Sequence, residues 1–295
     1  KCIMQVLLMS KNRIVFVVEG KVAEPKLLSE IAKSIGIEAS QIYPYETNIY
    51  SLYRHYTEYK KSFANEADDV DLFSYILELE REKEKDEQND IVNLSRREVS
   101  EIYLFFDLDG HHHSSRSDLD FDQNMREVVA MINEFSNETG AGKLYISYPM
   151  VEALKLYQKK TSDKVAFYRF KLDEKKTKSG KTFKAVCEEH KDHFNFGQAF
   201  SEQDIEWIKL YHILLSREIY QLSAIDYEEY REKISTRKTF EKQLNTFKCN
   251  ERSFVFSSVA EFLLDYVKEK DFPDLANLQD CEREIVDKWD DTEGT

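Results

Sequence analysis

The chain has 295 residues, 41% of them apolar, with 17 Tyr and 19 Phe but only 8 Gly and 4 Pro. So few breakers in a chain long enough for one large domain, or a domain plus a helical extension, favour an α-rich or α/β protein over a β-sandwich. The net charge of −14 argues against a protein that coats nucleic acid.

That charge is unevenly spread. Residues 65–90 hold eleven acids and three bases (−8), residues 265–295 eleven and four (−7), while residues 159–184 hold three acids and ten bases (+7). An acidic chain with one basic strip still has a surface for an anionic ligand. The apolar runs are too short to span a membrane, and no secretory signal is visible from Lys1 onward. Cys2, Cys187, Cys249 and Cys281 form no CxxC, which suits a reducing cytoplasm.

The first confident strand is residues 13–18, in the stretch RIVFVVEGKVAEPKLL. It ends in Glu19-Gly20, and Glu24-Pro25 opens a helix that runs through Leu27, Leu28, Ile31 and Ile35 to Gly36. A second strand is expected at Gln41 to Tyr45. Residues 48–64 read as a helix whose Tyr50, Tyr53, Tyr56 and Tyr59 form a packing face. Residues 66–89 read as an acidic helix, with Leu72, Tyr75, Ile76 and Leu79 inward, running into the solvated block EREKEKDEQND. Two helices between strands imply a helical excursion at one edge of the sheet.

Residues 101–110, EIYLFFDLDG, form the second strong strand, nearly continuous in apolar residues as parallel strands covered on both faces are. It closes on Asp107 and Asp109, which side-chain alternation directs to one face. Residues 121–136 are an amphipathic helix, and Lys143 to Tyr148 a further strand, followed shortly by Glu152. Three expected parallel strands thus place acids just past their carboxyl ends, the edge where open α/β sheets bind ligands. From Phe200 onward the pattern is helical, at roughly 202–222, 226–247, 257–269 and 279–290.

Glu19, Glu24, Asp107, Asp109 and Glu152 are the candidate site. Carboxylates gathered at one point repel one another unless cations neutralise them, and all-oxygen ligands suit Mg²⁺ or Mn²⁺. Taken singly, Glu24 reads as a helix-start acid, Asp109-Gly110 as a turn and Glu152 as a surface residue; as a set at three strand ends they read as a metal site.

The pattern VVEGKVAEPKLL, then FFDLDG, then a strand ending YPMVEAL, resembles the Toprim domain of topoisomerases, primases and OLD-family nucleases. It is similar in particular to the stand-alone Toprim proteins of bacterial phage defence, such as the RloB-like proteins and the Toprim effector of the PARIS system. The resemblance covers residues 13–157. It implies a Toprim-like parallel sheet flanked by helices over residues 1–160, with the helical excursion at about 48–95. A basic connecting segment would follow over 161–199, and a helical region over 200–295.

The resemblance further implies a Mg²⁺- or Mn²⁺-dependent endonuclease that cleaves phosphodiester bonds in DNA or tRNA as an effector of antiviral defence. Glu19 would be the base or a metal ligand, Asp107 and Asp109 the metal-holding Asp-x-Asp, Glu24 the second acid of Glu-Gly-x-x-x-Glu, and Glu152 the acid after Tyr148-Pro149. A partner ABC-type ATPase is also implied; the chain carries no ATPase motif of its own.

Three further motifs carry residue types suited to chemistry. His111, His112 and His113 follow Asp109 and read as a solvated loop or, with His111 nearest the acids, as a phosphate contact, a metal contact or a proton shuttle. Lys178-Ser179-Gly180-Lys181-Thr182 ends like a P-loop, but Lys175 stands where the first glycine is needed. With Lys176 these lysines read instead as a basic loop for a nucleic-acid backbone, or as a flexible solvated loop. Cys187, His190 and His193 have zinc-binding types but no fourth local ligand, and read as surface residues. The helical C-terminal third is open to three roles: substrate clamp, homodimer interface or partner dock. The competing function is a non-catalytic Toprim-like module that binds, and is regulated by, a partner ATPase; the acidic surface suits that reading. A phosphotransferase lacks any phosphate-cradling glycine loop.

Overall fold

The computed structural model describes residues 12–63, 70–108, 118–157, 170–171, 176–177, 182–189, 194–222, 226–250, 253–266 and 272–273. By its internal contacts the chain divides into two compact units, one of Lys1–Phe105 with Met125–Leu144, the other of Phe106–Asn124 with Tyr145–Thr295.

The first unit begins with β1 (Arg13–Val18), whose residues from Ile14 on are buried, as its β-branched apolar run requires. Helix α1 (Ala23–Ser34) buries Leu27, Leu28, Ile31 and Ala32 on one face. It stops at Gly36, whose φ of 75° is open to glycine at little cost. The Gly36 N–H donates to the Lys33 carbonyl and the Ile37 N–H to the Ala32 carbonyl, closing the helix end. Strand β2 (Ser40–Pro44) then pairs parallel with β1.

Helices α2 (Ile49–Ser62) and α3 (Leu72–Glu82) form the excursion expected before the next strand. Each starts on a side-chain cap: Asn48 accepts from the Ser51 N–H and Asp71 from the Ser74 N–H. The tyrosine stripe of α2 is a packing face, with Tyr56 against Phe135 and Tyr75, and Tyr59 against Tyr75. Helix α3 is shorter than the periodicity suggested. Its last turn also departs from the solvated block expected there, because Glu80 is fully buried. Tyr43 Oη donates to Glu80 at 2.8 Å, the Asn89 N–H at 2.8 Å, and the Lys83 ammonium pairs with the same carboxylate. Burial alone would raise the Glu80 pKa, but these donors outweigh it and hold the carboxyl below its usual range.

Strand β3 (Val99–Asp107) pairs parallel with β1 from Arg13↔Val99 to Val18↔Phe105. Helix α4 (Asp118–Glu134) follows, then the short β4 (Ser136–Asn137), antiparallel to β5 (Gly142–Ser147). At Gly142, φ is 112° and an added Cβ would meet Leu104 Cδ1 at 2.5 Å, so only glycine lets β5 enter beside β3. Further along, the Leu108 N–H donates to the Ser147 carbonyl at 3.0 Å. Both residue numbers rise together, so β5 runs parallel to β3. The five-stranded sheet has the order β2-β1-β3-β5-β4. The three expected parallel strands are therefore consecutive neighbours in one sheet, mostly parallel and mixed only at β4.

The second unit contains the 3₁₀ helix Val151–Tyr157, a two-residue hairpin of β6 (Phe170–Lys171) and β7 (Lys176–Thr177), and helix α5 (Phe183–Glu189). Four longer or shorter helices complete its described part: α6 (Glu202–Tyr220), α7 (Tyr227–Lys233), α8 (Thr236–Asn250) and α9 (Ser258–Tyr266). The single helix expected over 226–247 is two, because Ile234 turns extended and is buried while Ser235 Oγ accepts from the Lys238 N–H as the next helix starts. Tyr145 packs edge-on to Phe262, and Tyr148 bridges Phe256 through both backbone bonds. The helix expected over 279–290 lies outside the described residues.

Candidate metal centre

β1 delivers Glu19 to its carboxyl end, half-buried, with the backbone still tied into the ladder. The Tyr45 N–H donates to the Val18 carbonyl at 2.8 Å and the Glu46 N–H to the Glu19 carbonyl at 3.0 Å. The chain then turns at Gly20. A Cβ placed there would lie 2.5 Å and 2.9 Å from the two carboxylate oxygens of Glu24, so the Glu24 head folds back over the Gly20 backbone. Glu24 thus stands beside Gly20 while also occupying the first turn of α1, where the helix dipole favours an acid. Lys21, exposed, pairs with Glu46 at 2.6 Å.

In the second unit, Asp107 is the last residue of β3 and is half-buried. The Leu108 bond to Ser147 sets it next to the carboxyl end of β5. Asp109 and His111–His113 lie outside the described residues, as do Lys175, Lys178, Lys181, His190 and His193. Lys176 falls on β7.

Glu152 belongs to the 3₁₀ helix after β5, is 7% exposed, and faces Lys184 Nζ at 3.8 Å. Lys184 is the one side chain of the basic strip seen in an ion pair among the described residues, and its partner is an acid of the chain itself. Cys187 is not a surface residue as expected. It is fully buried, its thiol donates to the Glu152 carbonyl, and burial followed by the Glu152 charge pushes it up to about 12. A thiol held protonated in this way is a poor zinc ligand.

Among the described residues no three His, Cys, Asp or Glu side chains gather closely enough to hold a metal ion. Glu19 and Glu24, on either side of the turn at Gly20, offer only oxygen donors, and the missing Cβ of Gly20 leaves the room into which Glu24 folds. That donor chemistry fits Mg²⁺ or Mn²⁺ and not a soft metal.

Besides Glu80, a buried polar centre that the sequence pattern does not single out is His212. It is fully buried on α6, with Nδ1 3.3 Å from the Tyr157 hydroxyl and its ring 4.2 Å from that of Phe256. The Ser257 N–H donates to Tyr157 Oη, and His212 Nε2 has no partner among the described residues. Burial pushes the imidazole down to about 3, so it is neutral at physiological pH. Its signal was present in the run LYHILL, where an imidazole sits among residues bound for the core.

No protein-family model matches the chain, and no match is found among curated proteins or solved structures. No helix among the described residues is long and apolar enough to cross a membrane.

Proposed function

We propose that the chain is a Toprim-like, Mg²⁺- or Mn²⁺-dependent endonuclease acting on DNA or tRNA in bacterial antiviral defence. One observation carries the reading. β1, β3 and β5 are consecutive strands of the sheet, and the acids Glu19 and Asp107 stand at the carboxyl ends of the neighbouring parallel pair β1 and β3. Ligands of open α/β sheets bind at that edge. The Glu24 carboxylate folded over Gly20 would add an oxygen donor at the turn that follows Glu19.

A bound divalent ion supplies charge neutralisation and polarises a phosphodiester. Asp107 and Asp109 would hold it, with Glu24 and Glu152 as further ligands. Glu19 would take the proton from the attacking water. The water oxygen would bond to phosphorus as the phosphorus bond to a sugar oxygen breaks, and that oxygen would leave as an alkoxide and take its proton from solvent water. The basic residues around Lys175, Lys176, Lys178 and Lys181, with His111, would neutralise the backbone phosphates.

The test compares the wild type with Glu19→Ala and Asp107→Asn on single-stranded DNA, duplex DNA and tRNA, with Mg²⁺, Mn²⁺ or EDTA. Cleavage is expected with either ion and is lost in EDTA, and each substitution lowers it by about a hundredfold or more. Full activity of Glu19→Ala, or cleavage in EDTA, refutes the assignment.

The net charge of −14 favours a second reading, in which the chain is a Toprim-like module whose partner is an ABC-type ATPase. An acidic surface repels nucleic acid at long range and tolerates a protein partner. Stable binding of such an ATPase, together with no divalent-ion affinity, selects this reading over the nuclease.

A further inference from the structure

β2 lies at one edge of the five-stranded sheet, with β1 as its neighbour. At the start of their ladder the Ile14 N–H donates to the Ala39 carbonyl at 3.0 Å, and at its end the Tyr45 N–H donates to the Val18 carbonyl at 2.8 Å. Backbone groups alternate between the two sides of a strand, so Ala39, Gln41, Tyr43 and Tyr45 face β1. Ser40, Ile42 and Pro44 therefore turn theirs to the outer side. Among the described residues no hydrogen bond reaches the backbone N–H or C=O of Ser40 or Ile42, or the Pro44 carbonyl. All three residues are half-buried.

Proteins guard such an edge with lysine, proline or a covering element. Here no charged residue lies between Glu38 and Glu46, and the one proline closes only the last rung. The segments packed on β2 reach it through side chains of one face: Gln41 Nε2 donates to Asn89 Oδ1 at 3.1 Å, and Tyr43 Oη to Glu80 at 2.8 Å. These bonds fix the strand without using its outer backbone groups.

The outer groups read alike from either end about Ile42. Laid antiparallel on a second copy, Ile42 meets Ile42 and the two exchange both backbone bonds. Ser40 meets the second copy's Pro44 and donates its N–H to that carbonyl. The bond that proline cannot make falls at the two rims, open to water. Uncharged side chains face uncharged ones, and Glu38 approaches the second copy's Glu46, which already holds Lys21 at 2.6 Å as its counter-ion. Each copy spends the same edge, so the contact closes at two.

We propose that the outer edge of β2 is a homodimer interface, at which two copies pair antiparallel about Ile42 and continue one sheet across the two-fold axis.

The test is sedimentation equilibrium of the full chain, with amide exchange of the β2 segment followed by mass spectrometry at about 2 and 200 µM; a seam this short is expected to have a Kd on the order of 10 µM. Exchange of the Ser40 and Ile42 amides is expected to slow by about fivefold at the higher concentration, as the monomer fraction falls. Ile42→Pro and Ser40→Pro each remove an outer N–H and leave the β1 ladder intact, as Pro44 already does. Each is expected to weaken dimerisation by about tenfold or more while keeping the fold at about 2 µM.

A wild type that stays monomeric at about 200 µM overturns the proposal, whether its outer amides exchange fast, as on a bare edge, or slowly, as under another segment of the same chain. A dimer that persists in both proline variants, or whose β2 amides exchange alike at the two concentrations, overturns it too, since its contact then lies elsewhere. Where a proline variant fails to fold, the concentration dependence of the wild-type amides decides.

Discussion

At the residue scale, two glycines separate a local role from a structural one. A Cβ at Gly20 meets the far end of a flexible carboxylate, which can swing away; a Cβ at Gly142 meets the Leu104 side chain inside the core, on a backbone whose φ of 112° already disfavours it. Gly20→Ala is therefore expected to cost less than ~1 kcal/mol in urea denaturation while displacing the Glu24 carboxylate. Gly142→Ala is expected to cost ~3 kcal/mol or more, from strain and overpacking together. Equal stability losses for the two would show that the carboxylate over Gly20 is as rigid as the core.

The same scale explains why Glu80 escaped a sequence reading. Within EREKEKDEQND each acid has the same local character, and burial is decided by Tyr43 and Asn89, which are distant or looped back. Glu80→Ala leaves the Tyr43 hydroxyl and the Asn89 N–H without their acceptor. A loss of ~2–4 kcal/mol in urea denaturation is the expected result, against near zero for Glu84→Ala in the exposed part of the block.

At the element scale, long periodic stretches declared themselves. β1, α1, α2, β3, β5 and α6 were all legible, because their apolar residues repeat at strand or helix spacing and their ends carry caps or glycine. What was less legible came from short-range accidents of packing. The helix expected over 226–247 breaks where Ile234 turns into the core and Ser235 begins a new helix, although the ISTRK stretch carries an N-cap signal. Cys187 looked like a surface residue of a polar segment; Phe183, Val186 and Cys187 in fact form the buried face of α5. Glu152 looked like the third acid of a strand-end series, and its strand does end where expected. Its side chain nonetheless lies 3.8 Å from Lys184, a contact that no local spacing encodes.

At the scale of the whole molecule, acid sensitivity follows from two groups that move the same way. His212 is buried neutral, with its pKa lowered from the ordinary 6.5 to about 3. Between those values the unfolded chain binds a proton that the folded chain does not, so stability is unaffected above 6.5 and falls as pH drops, by up to ~1.4 kcal/mol per unit. Glu80 is held below its ordinary value, so its contribution is fully present above the unfolded carboxyl range and is lost as pH falls through the folded pKa. Urea denaturation from pH 8 to 4 is expected to show a flat region above about pH 6.5 and a decline below it. His212→Leu is expected to flatten the slope between pH 6.5 and 5, where Glu80 does not yet titrate. An unchanged slope in that variant would place the acid sensitivity elsewhere.

The sequence alone determined the α/β class, the positions of the principal strands and helices, and the acids at their ends, because periodicity, caps and glycines are local and survive in one dimension. It also placed Glu24 in the first turn of the helix that follows Glu19, since the Glu24-Pro25 pair is a local helix-start signal. Only the tertiary structure decided that β1, β3 and β5 are consecutive in the sheet, since strand order is set by which buried faces and ladders fit best over the whole core. It alone drew Glu80, Cys187 and His212 into the interior and gave Lys21 its partner Glu46, because burial and long-range pairing depend on residues far away in the chain.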